Sequence, residues 1–413
     1  MNRYSDRRER LMKSLPDDSV VLLFSGNAPY RSADETYEFC VDRNFYYLTG
    51  LDAEDMVVML SKINGSIMER IFILPYDETM AKWVGGRLLP ETVKEISKIA
   101  IIEDREDLDM TIASLMNRYR LKDSLSFYFD FWHYDTDQAD TQAQKYARNM
   151  QEQYPYCVMK DIYPMLTKMR LIKDEYEISC IRRAIRTTNL GIRQMMKASK
   201  PGMNEMVMDG IFEFVLKQDS CKEPAFKTIA ASGKRATILH YADNDQIMED
   251  NELFLCDLGA TYDHYCADIS RTFPVNGRFR ERQRELYEIV LHANKLVARK
   301  AAPGMSLKEL NKLVTDYYEE ELPKHGLTKG VSEYYYHSVS HHLGLDTHDV
   351  DGGPGALLEI GNVITDEPGL YVSDEGIGIR IEDDLLITKY GAVVLSEEIM
   401  KDPQDIEDYM RGH

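Results

Sequence analysis

Over the first ~160 residues, short apolar runs alternate with polar, helix-compatible stretches. Val20-Val21-Leu22-Leu23-Phe24, Met56-Val57-Val58-Met59-Leu60, Ile71-Phe72-Ile73-Leu74 and Ser126-Phe127-Tyr128-Phe129 read as strands bounded by turn residues. These apolar runs predict a mostly buried sheet. The polar stretch from Thr136 to Gln153 predicts a helix, so this region reads as an α/β domain. The pattern changes near Asp161 to Met165. A long helical periodicity begins at about Asp174, carried by Ile178, Ile181, Ile185, Ile192 and Met196. This divides the chain into an amino-terminal domain, 1–165, and a carboxy-terminal domain, 166–413.

The second domain carries a weak internal repeat. A helix over Asp174–Lys200 ends at Pro201-Gly202-Met203, and Asn204 can cap a second helix to about Lys217. Farther on, a helix over Glu281–Ala301 ends at Pro303-Gly304-Met305, where Ser306 and Glu309 form a capping box for a helix to about Leu322. Short β segments rich in acids and histidines follow each pair. Pro-Gly stops are common, but the repeated order of helix, Pro-Gly-Met, helix and strands predicts two related halves. A site between them would draw ligands from both.

Composition narrows the function classes. The net charge of −20 argues against a polyanion partner, so no nucleic acid is expected. Apolar runs are strand-sized, far below the ~18 residues of a membrane span, so no membrane role is expected. The amino-terminal stretch Met1-Asn2-Arg3-Tyr4 lacks a signal-peptide apolar core. Six cysteines at irregular spacing, with no Cys-x-x-Cys pair, suit a reducing cytosol, so a cytoplasmic location is expected.

Four segments carry candidate chemistry. Leu253 to Asp268 has apolar runs around a polar centre at Tyr262-Asp263 and reads as a β-hairpin. Symmetry about that centre sets Asp257 opposite Asp268. Facing acids repel, and a divalent cation between them reverses that term; a solvent-facing hairpin is the alternative. Glu367 ends a strand immediately before Pro368-Gly369, a place where loops build sites. In Gly376 to Leu385, alternation puts Ile377, Ile379 and Ile381 on one face and Arg380 and Glu382 on the other. The segment His337 to Asp349 holds His337, His341, His342 and His348. His337 and His341 have the spacing of a helical zinc pair, but no His-Glu-x-x-His glutamate accompanies them. His342 reads as a packed, hydrogen-bonded side chain. Histidines together with four separated acids fit a mixed carboxylate–imidazole metal site better.

In order, these strings resemble the creatinase/aminopeptidase family with the pita-bread fold, in its Xaa-Pro peptidase branch. They are Asp257-Leu-Gly-Ala, Asp268-Ile-Ser-Arg-Thr-Phe-Pro274, His341-His-Leu-Gly-Leu-Asp-Thr-His348-Asp, Glu367-Pro-Gly-Leu-Tyr371 and Gly378-Ile-Arg-Ile-Glu382-Asp-Asp. Ile238-Leu239-His240-Tyr241 resembles the family's substrate-histidine segment. Asp42-Arg-Asn-Phe-Tyr-Tyr-Leu-Thr-Gly50 and Lys82-Trp83-Val-Gly-Gly-Arg87 resemble the non-catalytic domain of aminopeptidase P and prolidase. The resemblance implies an α/β amino-terminal domain and an α+β pita-bread catalytic domain with pseudo-two-fold halves. It implies two divalent ions: manganese first, with cobalt or zinc as alternatives. Asp257 would bind one ion, Asp268 and Glu382 would bridge both, and His341 and Glu367 would complete the second. It further implies a metal-bridging hydroxide as nucleophile, with Glu367 shuttling its proton. His240, His337 and His348 would contact the substrate, with Tyr371 and Arg380 supporting them.

The reaction implied is removal of one amino-terminal residue ahead of proline, from peptides with proline at the second position. An Xaa-Pro dipeptidase with the same metal chemistry is the alternative, and a non-catalytic binding protein on the same fold is a third. Trp83 has two readings, a core or surface anchor or a residue reaching a neighbouring subunit's site. The second implies a homodimer or larger oligomer. After His337 the sequence is Ser338-Val339-Ser340, where many relatives begin with Gly. The loop Val350-Asp-Gly-Gly-Pro-Gly355 lacks an arginine that some aminopeptidases P place near the proline site. Recognition beyond the proline is therefore left open by the resemblance.

Overall fold

The computed structural model describes residues 2–120 and 125–412. The chain forms two compact units, Met1–Thr167 and Lys168–His413.

In the first unit, six strands make one mixed sheet in the order Ile101–Asp104, Ser66–Ile73, Val57–Ile63, Ser19–Phe24, Ser126–Phe129, Val158–Asp161. Ser19–Phe24 is buried along its whole length, which is why it reads as an unbroken apolar run. It pairs antiparallel with Val57–Ile63 and parallel with Ser126–Phe129. Leu108, Ile112, Met116, Ala143, Ala147 and Met150 from two helices pack against Val20, Leu22, Phe127 and Phe129. The helix expected over 136–153 begins only at Gln142. Thr141 Oγ1 accepts from the Gln144 amide while the Thr141 amide donates to Gln144 Oε1. That reciprocal cap, rather than the polar run before it, sets the start.

The second unit repeats one order of elements. Helices Glu175–Ala198 and Glu205–Gln218 precede Ile229–Ser232, Leu253–Leu258 and Ile269–Pro274, which form one antiparallel sheet. Helices Glu281–Lys300 and Leu307–Glu321 precede Val363–Asp366, Asp383–Thr388 and Gly391–Val394, which form another. A ribbon of Gly369–Val372 and Ile377–Arg380 completes the second half. The capping box of Ser306 and Glu309 is present as the sequence predicts. The halves meet along Ile269–Pro274: the Glu382 amide donates to the Ser270 carbonyl at 3.0 Å and the Arg380 amide to Thr272 Oγ1 at 3.1 Å.

The hairpin register differs from the expected one. Asp257 faces Ser270, not Asp268, and Tyr262 faces Tyr265. The turn is Asp263-His264, both with positive φ (47° and 65°), so the axis lies one residue later than the polar centre suggested. Gly259 then sits so close to the returning chain that a Cβ there would lie 1.8 Å from the Ala267 carbonyl oxygen. Asp268 lies between the two paired stretches of its arm, and its amide donates instead to Asp384 Oδ2 at 3.3 Å.

His337 and His341 do not share a helix. Residues Val339 to Leu343 run extended beside Val363–Asp366, with Leu343 N–H to Val363 O, Thr365 N–H to His341 O and Glu367 N–H to Val339 O. Among the described residues, no helix is long and apolar enough to cross a membrane.

Candidate active site

A cavity of about 660 Å³ opens in the second unit, where both halves contribute walls. Asp257, Asp268, His341, Glu367 and Glu382 line it, together with His240, His337, His348 and Arg380. Tyr371 is fully buried behind this wall. Of the candidates read from the sequence, only Trp83 lies elsewhere. It belongs to the first unit, on helix Glu78–Val84, and is 82% exposed.

The acids converge on one imidazole. His341 Nε2 lies 3.3 Å from Asp268 Oδ2 and 3.5 Å from Glu367 Oε1. Ligand atoms of Asp268, His341 and Glu382 all lie within 4.8 Å of one another. The opposite ring nitrogen, His341 Nδ1, is 3.0 Å from the His342 carbonyl oxygen. A proton on Nδ1 satisfies that contact and leaves the Nε2 lone pair facing two carboxylates. Lone pair against carboxylate is repulsive unless a cation lies between them.

Electrostatics agree. Burial, reinforced by Asp257 and Asp384, pushes the Asp268 carboxyl well above its ordinary value. Burial and then Asp268 and Glu367 do the same to Glu382. Glu367 is raised by burial, against the opposing pull of His341 and Arg380. Asp257 Oδ1 and Asp384 Oδ1 are buried without a hydrogen-bond partner. A cluster of crowded, desolvated carboxylates with unsatisfied oxygens has the chemistry of a hard-cation site, and these residues fit divalent ions.

A polar chain holds the acids in place. Arg380 donates to Asp257 Oδ2 (2.5 Å), Ser270 Oγ (2.8 Å) and the Tyr371 hydroxyl (2.9 Å). Ser270 Oγ donates in turn to Glu382 Oε2 at 2.7 Å. The Tyr371 hydroxyl lies 2.9 Å from His337 Nε2, and His337 Nδ1 lies 2.9 Å from the Ser338 carbonyl oxygen. Burial and the Arg380 charge lower His337 to about 4, so it is neutral near pH 7. His348 packs edge-on to His341 at 4.3 Å between ring centres, and burial lowers its pKa. His342 is packed as expected, but its buried Nδ1 has no hydrogen-bond partner.

Two contributors were missed in the sequence. Ser270 joins Arg380 to Glu382, and its signal was available: Asp268, Ser270 and Thr272 alternate with Ile269, Arg271 and Phe273 and so share one face of the strand. The second is a buried clamp under the histidine loop. Asp349 takes Arg170 Nη2 at 2.5 Å and Lys173 Nζ at 3.0 Å, while Asp346 takes the same Arg170 nitrogen at 2.8 Å. The Asp349 amide donates to the His342 carbonyl, which closes the loop bearing His348.

Duplicated helix-pair halves closing on a carboxylate–imidazole cavity define a metal-dependent hydrolase. Comparison with known proteins makes this specific. The model of metallopeptidase family M24 matches residues 179–389, and that of the aminopeptidase P amino-terminal domain matches 4–123. A Xaa-Pro aminopeptidase of Haemophilus influenzae is 34% identical, with 98% of this chain and 96% of that protein covered. A chain described as an aminopeptidase P from Bacillus anthracis superposes with a TM-score of 0.96 at 41% identity, covering 100% of this chain and 99% of that one. A zinc-substituted aminopeptidase P from E. coli, solved with product, gives 0.90 at 31% identity and covers 99% and 98%. This chain belongs to metallopeptidase family M24, with an amino-terminal domain of the aminopeptidase P type.

Proposed function

We propose that this chain is a dinuclear-metal Xaa-Pro aminopeptidase that hydrolyses the bond between an amino-terminal residue and a following proline. The observation that carries the metal reading is the convergence of buried acids on one ring nitrogen, with His341 Nε2 3.3 Å from Asp268 Oδ2 and 3.5 Å from Glu367 Oε1. Asp257, Asp268, His341, Glu367 and Glu382 would hold two divalent ions. Manganese is the first choice, and cobalt or zinc is compatible with the same donors. When bound, such ions acidify a water to a nucleophile near neutral pH and polarise the scissile carbonyl.

The chain's own residues do the rest. Glu367 takes the proton of the attacking water and returns it to the leaving proline nitrogen. Neutral His337, with His240 and His348 of the same cavity, would contact the substrate carbonyl region. Arg380 and Tyr371 fix Asp257 and His337 in place. A peptide bond before proline is a tertiary amide without N–H, so recognition rests on shape. Phe226, Ile229 and Leu239 supply an apolar wall for the ring. Residues 166–413 form the catalytic domain. Exposed Trp83 is the residue through which a neighbouring subunit would complete the site, which implies a homodimer or larger oligomer. The protein acts in the cytoplasm.

Initial rates on an Xaa-Pro-Xaa tripeptide and an Xaa-Pro dipeptide, with added Mn²⁺ and after chelation, test this reading. Manganese-dependent cleavage of the tripeptide is expected. Cleavage of the dipeptide alone would reassign the chain as a dipeptidase. No cleavage of either peptide by fully metallated protein would sink both Xaa-Pro readings and leave a binding role or another amide substrate.

A further inference from the structure

The cavity has two cationic side chains on its walls, and they differ. Arg380 is committed to Asp257, Ser270 and Tyr371. Lys227 lines the same cavity but is exposed, with no hydrogen bond or ion pair to any described residue.

Its backbone, by contrast, is fixed on both sides. The Ala225 amide donates to the Gly259 carbonyl at 2.7 Å, and Pro224 bridges to Ala260 on the hairpin that carries Asp257. Thr347 Oγ1, next to His348, reaches the Ala225 carbonyl at 3.5 Å. On the other side, Asn244 Nδ2 donates to the Thr228 carbonyl at 2.9 Å while Asn244 Oδ1 accepts from the Ala230 amide at 3.0 Å. A backbone held on both sides thus carries an exposed lysine at the wall of a cavity lined by four acids. Were Lys227 a counterion for Asp257, Asp268, Glu367 or Glu382, it would stand within ion-pair distance of one of them, and it pairs with none. Divalent ions among those acids would neutralise the floor and leave it no net charge to hold a lysine.

The geometry points to Lys227 as a specificity-determining residue that binds a carboxylate on the leaving side of the peptide. The inference rests on the aminopeptidase reading, in which the substrate's amino end lies toward the acids and its carboxyl end points away from them. In a three-residue substrate Xaa-Pro-Yaa, the terminal carboxylate lies two residues past the scissile carbonyl, roughly 7 Å of extended chain. A flexible four-carbon stem on a fixed backbone suits a charge at that remove. Short peptides with a free carboxylate are the favoured class, and an acidic residue after proline supplies the same chemistry.

The test uses manganese-loaded full-length protein and three peptides: Ala-Pro-Ala, Ala-Pro-Ala amide and Ala-Pro-Asp amide. Wild type should favour Ala-Pro-Ala over its amide about three- to five-fold in kcat/KM, as an exposed charge pair allows, mostly through KM. Lys227→Gln should erase the ratio, Lys227→Glu should invert it, and Lys227→Arg should restore it. Raising salt from ~0.05 to ~0.5 M should narrow it. Equal preference for Ala-Pro-Asp amide identifies any carboxylate as the ligand, and preference for Ala-Pro-Ala alone identifies the chain terminus. A wild-type ratio of one, or a ratio unchanged in Lys227→Gln, overturns the assignment of Lys227 alone. No metal-dependent cleavage of even the amide by wild type overturns the aminopeptidase reading, and the role of Lys227 falls with it.

Discussion

Asp268 and Asp349 are both buried aspartates of the same unit, 4% and 9% exposed, and their surroundings treat them oppositely. Around Asp268 stand Asp257, Asp384 and Glu367, and the carboxyl is held well above its ordinary value. Burial alone would raise Asp349 as well, but Lys173 and Arg170 hold it down at about 2. Asp383 belongs with Asp349: Arg271 and Lys401 outweigh burial and keep it ionised. The clamp acids carry their counter-charges within the fold. The cavity acids lack them, apart from Arg380, and that deficit is what divalent ions would fill. Removing one partner of a buried, paired charge is costly, whereas removing one of several repelling charges relieves strain.

The largest effect should therefore come from the clamp. Asp349→Asn leaves Arg170 and Lys173 buried without their carboxylate and should cost about 3–5 kcal/mol in urea unfolding. Asp268→Asn, measured in the chelated protein, should be neutral or stabilising. Equal losses in the two variants would dissolve the contrast. The next effect is on pH. With a folded value of about 2 against 3.8, Asp349 contributes about 2 kcal/mol that is present above pH ~4 and is lost as pH falls toward 2. The cavity acids have raised folded values, so their contribution in metal-free protein is present at low pH and declines as pH rises. Unfolding curves from pH ~3 to ~7 should show chelated protein losing stability toward neutrality and metal-loaded protein keeping it. Identical profiles with and without metal would break the comparison.

The same contrast separates what the sequence could convey from what it could not. The cavity acids were legible because each sits in a local string with its own pattern: Glu367 before Pro368-Gly369, and Glu382 beyond the alternation of Ile377 to Ile381. Helix starts were legible where a cap is local, as at Asp174 and Ser306. The clamp was not, because Arg170 and Lys173 lie 179 and 176 residues from Asp349 and nothing local records the pairing. The hairpin pairing failed by two residues, its axis by one, because Asp263-His264 adopts a turn usually signalled by glycine or asparagine. The late start at Gln142 failed for a related reason: a polar run and a polar helix look alike until the cap at Thr141 is recognised.

Ser270 offers the finest probe, because it stands where the acid cluster meets its one cation. Its hydroxyl accepts from Arg380 Nε and donates to Glu382 Oε2, so it passes orientation from a committed cation to a candidate metal ligand. Ser270→Ala removes both bonds and leaves the strand intact, since the residue is fully buried and alanine fits the same space. Arg380 keeps Asp257 and Tyr371, so the guanidinium stays in place and only Glu382 is freed. Loss of such a supporting partner weakens metal affinity or activity by ~10–100-fold, and the retained Arg380 contacts set the expectation near the low end, about tenfold. A manganese titration read by activity should show the half-saturating concentration rising while the rate at saturation changes less. If Ser270 instead served only packing, unfolding of the chelated protein would shift and the titration midpoint would not.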